Sequence, residues 1–185
     1  MATSKYDRIA KRNNGFTGSG IALIDKNNHL ILGSHAKHKT ANDFGGTIEN
    51  IDTHHSYNLD IILANTATRE CKEETKHLVN ITPHILSKCS YYNIKRWDDT
   101  DYLYRVYFVH IDKIDTHSFN KIYTKDFEEV NELYTLDINK IDTIPTIPTI
   151  PTNTLTSTQI TTDGRKIELD NRIKQALDEY MKYII

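Results

Sequence analysis

Arg69-Glu70-Cys71-Lys72-Glu73-Glu74 is the stretch on which the fold of this chain is decided, and Gly45-Gly46 stands upstream of it. On a helix Glu70, Glu73 and Glu74 fall at i, i+3 and i+4, so three carboxylates share one face. Neighbouring carboxylates about 5–6 Å apart repel by roughly 3 kcal/mol per pair at an effective dielectric near 20. A hard divalent cation turns that repulsion into ligand binding. A glutamate-rich helix surface is ordinarily just solvated. Here three features favour a site. Arg69 lies one turn before Glu73, in position to pair with it. Cys71, a small apolar residue, sits between the acids as though facing a core. The Gly-Gly pair precedes the helix at a distance compatible with a loop–helix ligand site.

The helix around this stretch is expected from about Leu59 or Asp60 to His77. Leu59, Leu63, Ala67 and Cys71 form an i, i+4 row, and Asn58 or Asp60 serves as N-cap. Asn50 to Asn58 reads as loop. Upstream, Ile21-Ala-Leu-Ile24 and Leu30-Ile-Leu32 flank Asp25-Lys-Asn-Asn28, the pattern of a β-hairpin. His35 to Asn42 is polar and reads as a loop leading into Asp43-Phe44-Gly45-Gly46, where the backbone turns tightly or approaches a ligand closely.

Downstream, Ile81 to Tyr92 reads as a strand. Tyr102 to His110, aromatic and β-branched, is the strongest strand signal and belongs in the middle of a sheet. Glu132 to Leu136 is a short strand, and Asp137 to Asp142 the start of a helix. From Ile144 to Thr152 an Ile-Pro-Thr tripeptide repeats three times. Proline at every third position favours extended polyproline II. With Asn153 to Gly164 it reads as a low-complexity insertion over about 142–164, and a proline-rich docking site is the alternative. Arg165 to Tyr183 reads as a closing amphipathic helix.

The chain has 185 residues, enough for one domain with a real core. A net charge of −2 gives no global basic field for nucleic acid or an anionic membrane. Two cysteines, Cys71 and Cys89, make no disulfide framework, and the nine histidines show no zinc-ligand spacing. Met1 to Arg12 lacks the apolar core of a secretory signal, and no apolar run approaches the roughly 20 residues that span a bilayer. A soluble, intracellular, cytoplasmic protein with no membrane partner is the expectation.

The Gly46-to-His77 segment resembles the Nudix hydrolase signature: a glycine, five residues, Glu, seven residues, then Arg-Glu-apolar-x-Glu-Glu-x-Gly-apolar. Gly46 matches the opening glycine, and Asp52 falls where the first Glu is expected. Sixteen residues, Thr53 to Thr68, then separate Asp52 from Arg69, nine more than in the family. Asp60, at the helix start, is the rival for the first acidic position. Arg69, Glu70, Cys71, Glu73 and Glu74 match the second half. Lys76 stands in the place of the closing glycine and His77 in that of the apolar residue after it. An L-residue there costs about 1 kcal/mol if its φ is positive.

The resemblance implies a single α/β domain over 1–185, a Nudix-type α/β/α sandwich with a mixed central β-sheet. It implies hydrolysis of a diphosphate bond in a nucleoside diphosphate linked to another group. Mg²⁺ or Mn²⁺ would be held by Glu70, Glu73 and Glu74 with a backbone carbonyl at Gly45 or Gly46. Glu73 and Glu74 are catalytic candidates. A further ligand or base is expected from the later acidic segment, at Glu128 or Glu129, with Glu132 next. Arg69 and Asp52 would orient the acids, and Gly45 and Glu49 would touch substrate.

The partner implied is a small nucleotide-type substrate, and relatives also handle dinucleoside polyphosphates, sugar nucleotides, diphosphoinositol phosphates and capped RNA. The near-neutral charge argues against a capped-RNA specialist. The oligomeric state is open. Cys71 reads as a buried apolar group rather than a nucleophile. His54, His55, Lys37, His38 and Lys39 are surface residues or phosphate contacts. Tyr91, Tyr92, Trp97 and Tyr102 are core residues or base-stacking platforms. The rival readings are a non-catalytic module that binds nucleotide or RNA, and a plain acidic-helix interaction protein.

Overall fold

The computed structural model describes residues 4–35, 40–54, 56–96, 101–112, 114, 130–141, 143–144, 154–155 and 158–183. Its elements run α1 (Lys5–Arg12), β1 (Phe16–Asp25), β2 (His29–His35), β3 (Thr40–Asn42), β4 (Phe44–Thr47), α2 (Asn50–Thr53), α3 (Leu59–Glu74) and α4 (Pro83–Leu86). They continue with β5 (Ser90–Lys95), β6 (Leu103–Ile111), β7 (Val130–Asp137), a 3-10 turn (Ile138–Lys140), β8 (Thr143–Ile144), β9 (Thr154–Leu155), β10 (Thr158–Ile160), β11 (Lys166–Leu169) and α5 (Asn171–Met181). The class is α/β, as expected, with a mixed sheet flanked by helices. The chain divides into two compact units, Met1–Ala22 with Asp43–Val109, and Leu23–Asn42 with His110–Ile185.

The first unit holds the Gly-Gly pair and the acidic helix. β1 and β4 are antiparallel, with Gly18 opposite Thr47 and Ser19 opposite Gly46. β5 and β6 form an antiparallel pair from Ser90↔Phe108 to Lys95↔Leu103, and Tyr104 to Val109 are buried. α3 packs on β4. Its start is fixed by Asn58, whose side chain accepts from Asp60 N, and its inner face buries Ile62, Leu63, Ala67 and Cys71. Phe16, Ile48, Ile62 and Leu63 make one core cluster, with Ile9, Leu59 and Leu103 against it. Ser19 Oγ donates to Leu63 O at 2.6 Å, tying the middle of α3 to β1.

α3 ends in a Schellman turn. His77 N donates to Lys72 O at 2.8 Å and Lys76 N to Glu73 O at 3.1 Å, with φ of +50° at Lys76 and +64° at His77. The helix therefore stops at Glu74, three residues short of the expected His77, and Lys76 does occupy a left-handed position.

The second unit is built on β2. β7 pairs along its length from His29↔Asp137 to His35↔Val130, and β3 pairs at Gly33↔Asn42 and Ser34↔Ala41. The end of β1 closes the expected hairpin at Leu23↔Ile31 and Ile24↔Leu30. Asp25 Oδ1 accepts from Asn27 N and His29 N at the turn. β11 runs parallel to β3, and β10 antiparallel to β11. α5 begins at the N-cap Asp170 and buries Ile173, Ala176, Leu177 and Tyr180.

Several local expectations are corrected. The polar segment before Asp43 ends in a strand, β3, because β2 and β11 both pair with it. Asn50–Thr53 is a helical turn rather than loop. The strand expected over Ile81–Tyr92 is α4, opened by Pro83 at its N-terminus, followed by β5. The expected helix at Asp137 is only a 3-10 turn. The closing helix begins at Asn171, since Lys166–Leu169 is β11. Part of the polar stretch before it is strand as well, at β9 and β10. Most of the Ile-Pro-Thr repeat lies outside the described residues. No helix among the described residues is long and apolar enough to cross a membrane.

Candidate active site

Arg69 is the hub of the acidic helix. Its Nε and Nη2 donate to Asp52 Oδ1 and Oδ2, both at 3.0 Å, a bidentate fork that fixes the guanidinium plane. Nη2 also donates to Thr47 O at 3.2 Å. Nη1 faces outward, 3.0 Å from Glu70 Oε1 and 3.2 Å from Glu73 Oε2. Burial alone would lower the pKa of this arginine. The hydrogen bond to Asp52 and the charges of Glu70, Asp52 and Glu73 outweigh it and hold the pKa above its ordinary value.

Asp52 is buried. Besides the arginine it accepts from Glu49 N at 2.8 Å and Thr66 Oγ1 at 3.0 Å. Of the two acidic residues weighed for the place before Arg69, it is Asp52 that the fold brings there. Asp60 points elsewhere, its Oδ1 2.7 Å from Arg105 Nη1. The sixteen residues between Asp52 and Arg69 thus do not part them. α2 folds back on α3, and Asn65 Nδ2 donates to Asp52 O at 3.1 Å.

The three glutamates differ in setting. Glu74 is buried, and Gly45 N donates to its Oε2 at 2.8 Å. Glu70 is mostly buried and seated on Gly46, where a Cβ would lie 2.1 Å from Glu70 Oε1. Only a glycine admits a carboxylate at that distance. Glu73 is 53% exposed, the most accessible of the three. The pair Gly45-Gly46 thus holds Glu74 through a backbone N–H and Glu70 through a missing side chain.

Cys71 is buried between these acids, and burial, reinforced by the charges of Glu74 and Asp43, pushes its thiol pKa up. It is no nucleophile in this state. Two residues that sequence reasoning did not single out complete the floor. Tyr104 Oη donates to Asp43 Oδ2 at 3.0 Å, both groups being buried. Arg96 donates from Nη2 to Thr47 Oγ1 at 3.0 Å and from Nη1 to Thr17 O at 3.2 Å. Thr47 thus sits between two guanidiniums. The only signal for Arg96 in the sequence is a cation among aromatic strand residues, which is weak.

Glu49 is exposed at the N-cap of α2 and lines a cavity of about 470 Å³ that also borders α1. His54 is exposed at the end of α2 on the same cavity. Tyr91 is exposed and stacked on Arg105, 4.0 Å from the ring centroid, while Tyr102 Oη donates to Asp7 Oδ1 at 2.6 Å. Glu128, Glu129, Lys37, His38, Lys39, His55 and Trp97 lie outside the described residues. Glu132, in the second unit, pairs with Arg165.

The donor set at α3 is all oxygen, carboxylates beside a glycine turn with no thiolate or imidazole. That is the chemistry a hard cation such as Mg²⁺ or Mn²⁺ takes. Among the described residues no three His, Cys, Asp or Glu side chains are already gathered as a ligand set. Arg69 Nη1 stands instead between Glu70 and Glu73 as the local cation. The residues fit a divalent ion in kind, and Arg69 Nη1 would be its competitor between Glu70 and Glu73.

The chain matches no protein-family model and no curated protein. Among solved structures it is similar to the crystal structure of a C. elegans Ap4A hydrolase binary complex. The TM-score is 0.43 and the identity 12%, over 66% of this chain and 80% of that one. A likeness at that level says nothing of this chain's chemistry.

Proposed function

We propose that this chain is a metal-dependent hydrolase of the Nudix type, cleaving a diphosphate bond in a nucleoside diphosphate linked to another group. The observation that carries the reading is the seating of the acidic helix on the glycine pair. Glu74 is bonded to Gly45 N, Glu70 is pressed on Gly46, and Arg69 is locked between Asp52 and the outer glutamates. A plain acidic surface helix needs none of these. Mg²⁺ or Mn²⁺, held by Glu70, Glu73 and Glu74 with a backbone oxygen of the Gly45–Gly46 turn, would neutralise the phosphoryl oxygens and acidify a water.

The roles of the side chains follow from their settings. Glu74 and Glu70 are pre-oriented by Gly45 N and by the close approach of Gly46, which lowers the cost of ordering a site. Glu73 is the exposed member, free to leave Arg69 and take a proton. Glu128 or Glu129 is the further base in this proposal. Asp52 positions Arg69, and Arg69 keeps the glutamates from splaying apart. Gly45 and Glu49 face the substrate.

The test is release of phosphate or pyrophosphate across nucleoside triphosphates, dinucleoside polyphosphates, sugar nucleotides and capped RNA, with Mg²⁺ and with Mn²⁺. The double variant Glu73→Gln with Glu74→Gln is run in parallel. Turnover that requires the divalent ion and drops at least about 100-fold in the variant supports the proposal. Tight nucleotide binding with no turnover overturns the enzyme reading in favour of a binding module. Absence of any thermal shift with Mn²⁺ overturns the metal site.

A further inference from the structure

The cavity beside Glu49 is not over the carboxylates. Apolar walls are given by Ile9 of α1, Ile48, and Leu59 and Ile62 of α3. Amide and hydroxyl groups, among them Asn14, Asn50 and Thr53, surround them. Its volume, about 470 Å³, lies within the roughly 300–1,000 Å³ range of small-molecule sites. A wider hollow of about 620 Å³ adjoins it and shares Ile9, Arg12, Ile48, Glu49 and Asn50, so the two form one depression. The hollow adds Lys5 and Arg8. Among the described residues no ion pair engages Lys5, Arg8 or Arg12.

The depression is tied to the acidic helix at two places. Ile48 and Glu49 follow Gly46-Thr47 directly, and at no more than about 3.6 Å per residue Glu49 lies within about 11 Å of Gly46 along the chain. Ile62 and Glu70 lie on one helix, and eight residues at 1.5 Å each put about 12 Å between them. The segment between Asp52 and Arg69 builds the wall, since Thr53, Ser56, Tyr57 and Leu59 all line the cavity. Tyr57 is fully exposed at its rim, where a ring can stack on another. α1 is held in place by its capping box, Ser4 with Asp7, and by the Tyr102 hydrogen bond to Asp7.

We propose that this depression is a nucleotide subsite. A nucleobase and ribose sit between Ile9, Ile48, Leu59 and Ile62, with the anionic phosphates along Lys5, Arg8 and Arg12. The apolar walls suit the faces of a base, and the Glu49 carboxylate and the Asn50 amide suit its polar edge. Unpaired cations suit phosphate and not a neutral ligand. For the class of substrate this inference rests on the hydrolase reading, which it deepens by assigning the recognition of the organic half to α1 and the expanded segment.

The test is calorimetric titration of the whole chain in EDTA with AMP, with GMP and with inorganic phosphate. Wild type is compared with Arg8→Glu/Arg12→Glu and with Glu73→Gln/Glu74→Gln. Both arginines are surface residues that enter no ion pair among the described residues, and circular dichroism checks that the charge-reversed chain is folded. Expected is saturable binding of a nucleoside monophosphate, at least 10-fold weaker in the arginine variant and unchanged in the glutamine variant, with phosphate alone at least 10-fold weaker. No saturable nucleotide binding, equal binding of inorganic phosphate, or an arginine variant that binds like wild type overturns it. The two readings fail separately. Nucleotide bound in EDTA by a chain that never turns over removes the hydrolase and leaves the subsite. Turnover whose KM is the same in the arginine variant removes the subsite and leaves the hydrolase.

Discussion

Replacing Asp52 with alanine tests whether this carboxylate, and not Asp60, is what holds Arg69. The Asp52 side chain is 2% exposed and that of Arg69 is 18% exposed. Four hydrogen bonds end on Asp52: Arg69 Nε and Nη2 at 3.0 Å, Thr66 Oγ1 at 3.0 Å and Glu49 N at 2.8 Å. Removing one partner of a buried pair costs about 3–5 kcal/mol. The lower end applies, because Arg69 keeps Glu70, Glu73 and Thr47 O. About 3 kcal/mol, at a urea slope of roughly 2–3 kcal/mol/M, lowers the unfolding midpoint by about 1–1.5 M. The sharper measurement is a double-mutant cycle with Arg69→Met. Coupling of about 2 kcal/mol is expected for Asp52 with Arg69 and less than about 0.5 kcal/mol for Asp60, whose partner is Arg105. A coupling to Asp52 under 0.5 kcal/mol, or an equal coupling to Asp60, would refute the assignment.

Two further outcomes follow from backbone geometry. Lys76→Gly relieves a φ of +50° inside an intact Schellman turn and is expected to stabilise the chain by about 1 kcal/mol, a rise of a few degrees in Tm by scanning calorimetry. Alanine at the two box glycines separates stability from chemistry. At Gly45 a Cβ would lie 2.3 Å from Gly20 Cα and 2.2 Å from Tyr104 Oη, so Gly45→Ala is expected to lose about 3 kcal/mol or fail to fold. At Gly46 the clash is with the flexible carboxylate of Glu70, so Gly46→Ala is expected to keep its Tm within a few degrees and, on the proposed hydrolase reading, to lose phosphate release. Equal Tm losses in the two variants would contradict this geometry.

How much of this was legible in the sequence depended on whether the interaction was local. α3 was legible because its signals repeat: an N-cap at Asn58 and an apolar row from Leu59 to Cys71 over more than three turns. The hairpin at Asp25 was legible because a turn residue bonds its own backbone. β3 was not, since three residues carry no period and become a strand only through β2 and β11. β11 and α5 read as one helix because Ile167 and Leu169 alternate too briefly to override the longer 3.6 pattern after Asp170. α1 buries no residue fully, so its polar sequence shows only a capping box. At the site, the spacing put the glutamates on one face. It left Asp52 and Asp60 unresolved, because Asp52 and Arg69 are 17 residues apart and only tertiary packing decides between them. The Tyr104 contact with Asp43, 61 residues apart, left no trace in the pattern.

The expanded segment and the acidic cluster turn out to be one problem. Sixteen residues separate Asp52 from Arg69, and the ion pair they must not disrupt organises the glutamates. The fold preserves that pair by anchoring Asp52 four ways and folding α2 onto α3, so that the intervening residues turn toward α1. There they meet Ile9 and Arg12 and enclose a cavity. Arg69 meanwhile spends two nitrogens on Asp52 and shares the third between Glu70 and Glu73. One guanidinium therefore contacts three carboxylates. In the proposed function a divalent cation would meet Glu70 and Glu73 beside that guanidinium, and in the proposed subsite the segment between Asp52 and Arg69 would hold the rest of the substrate.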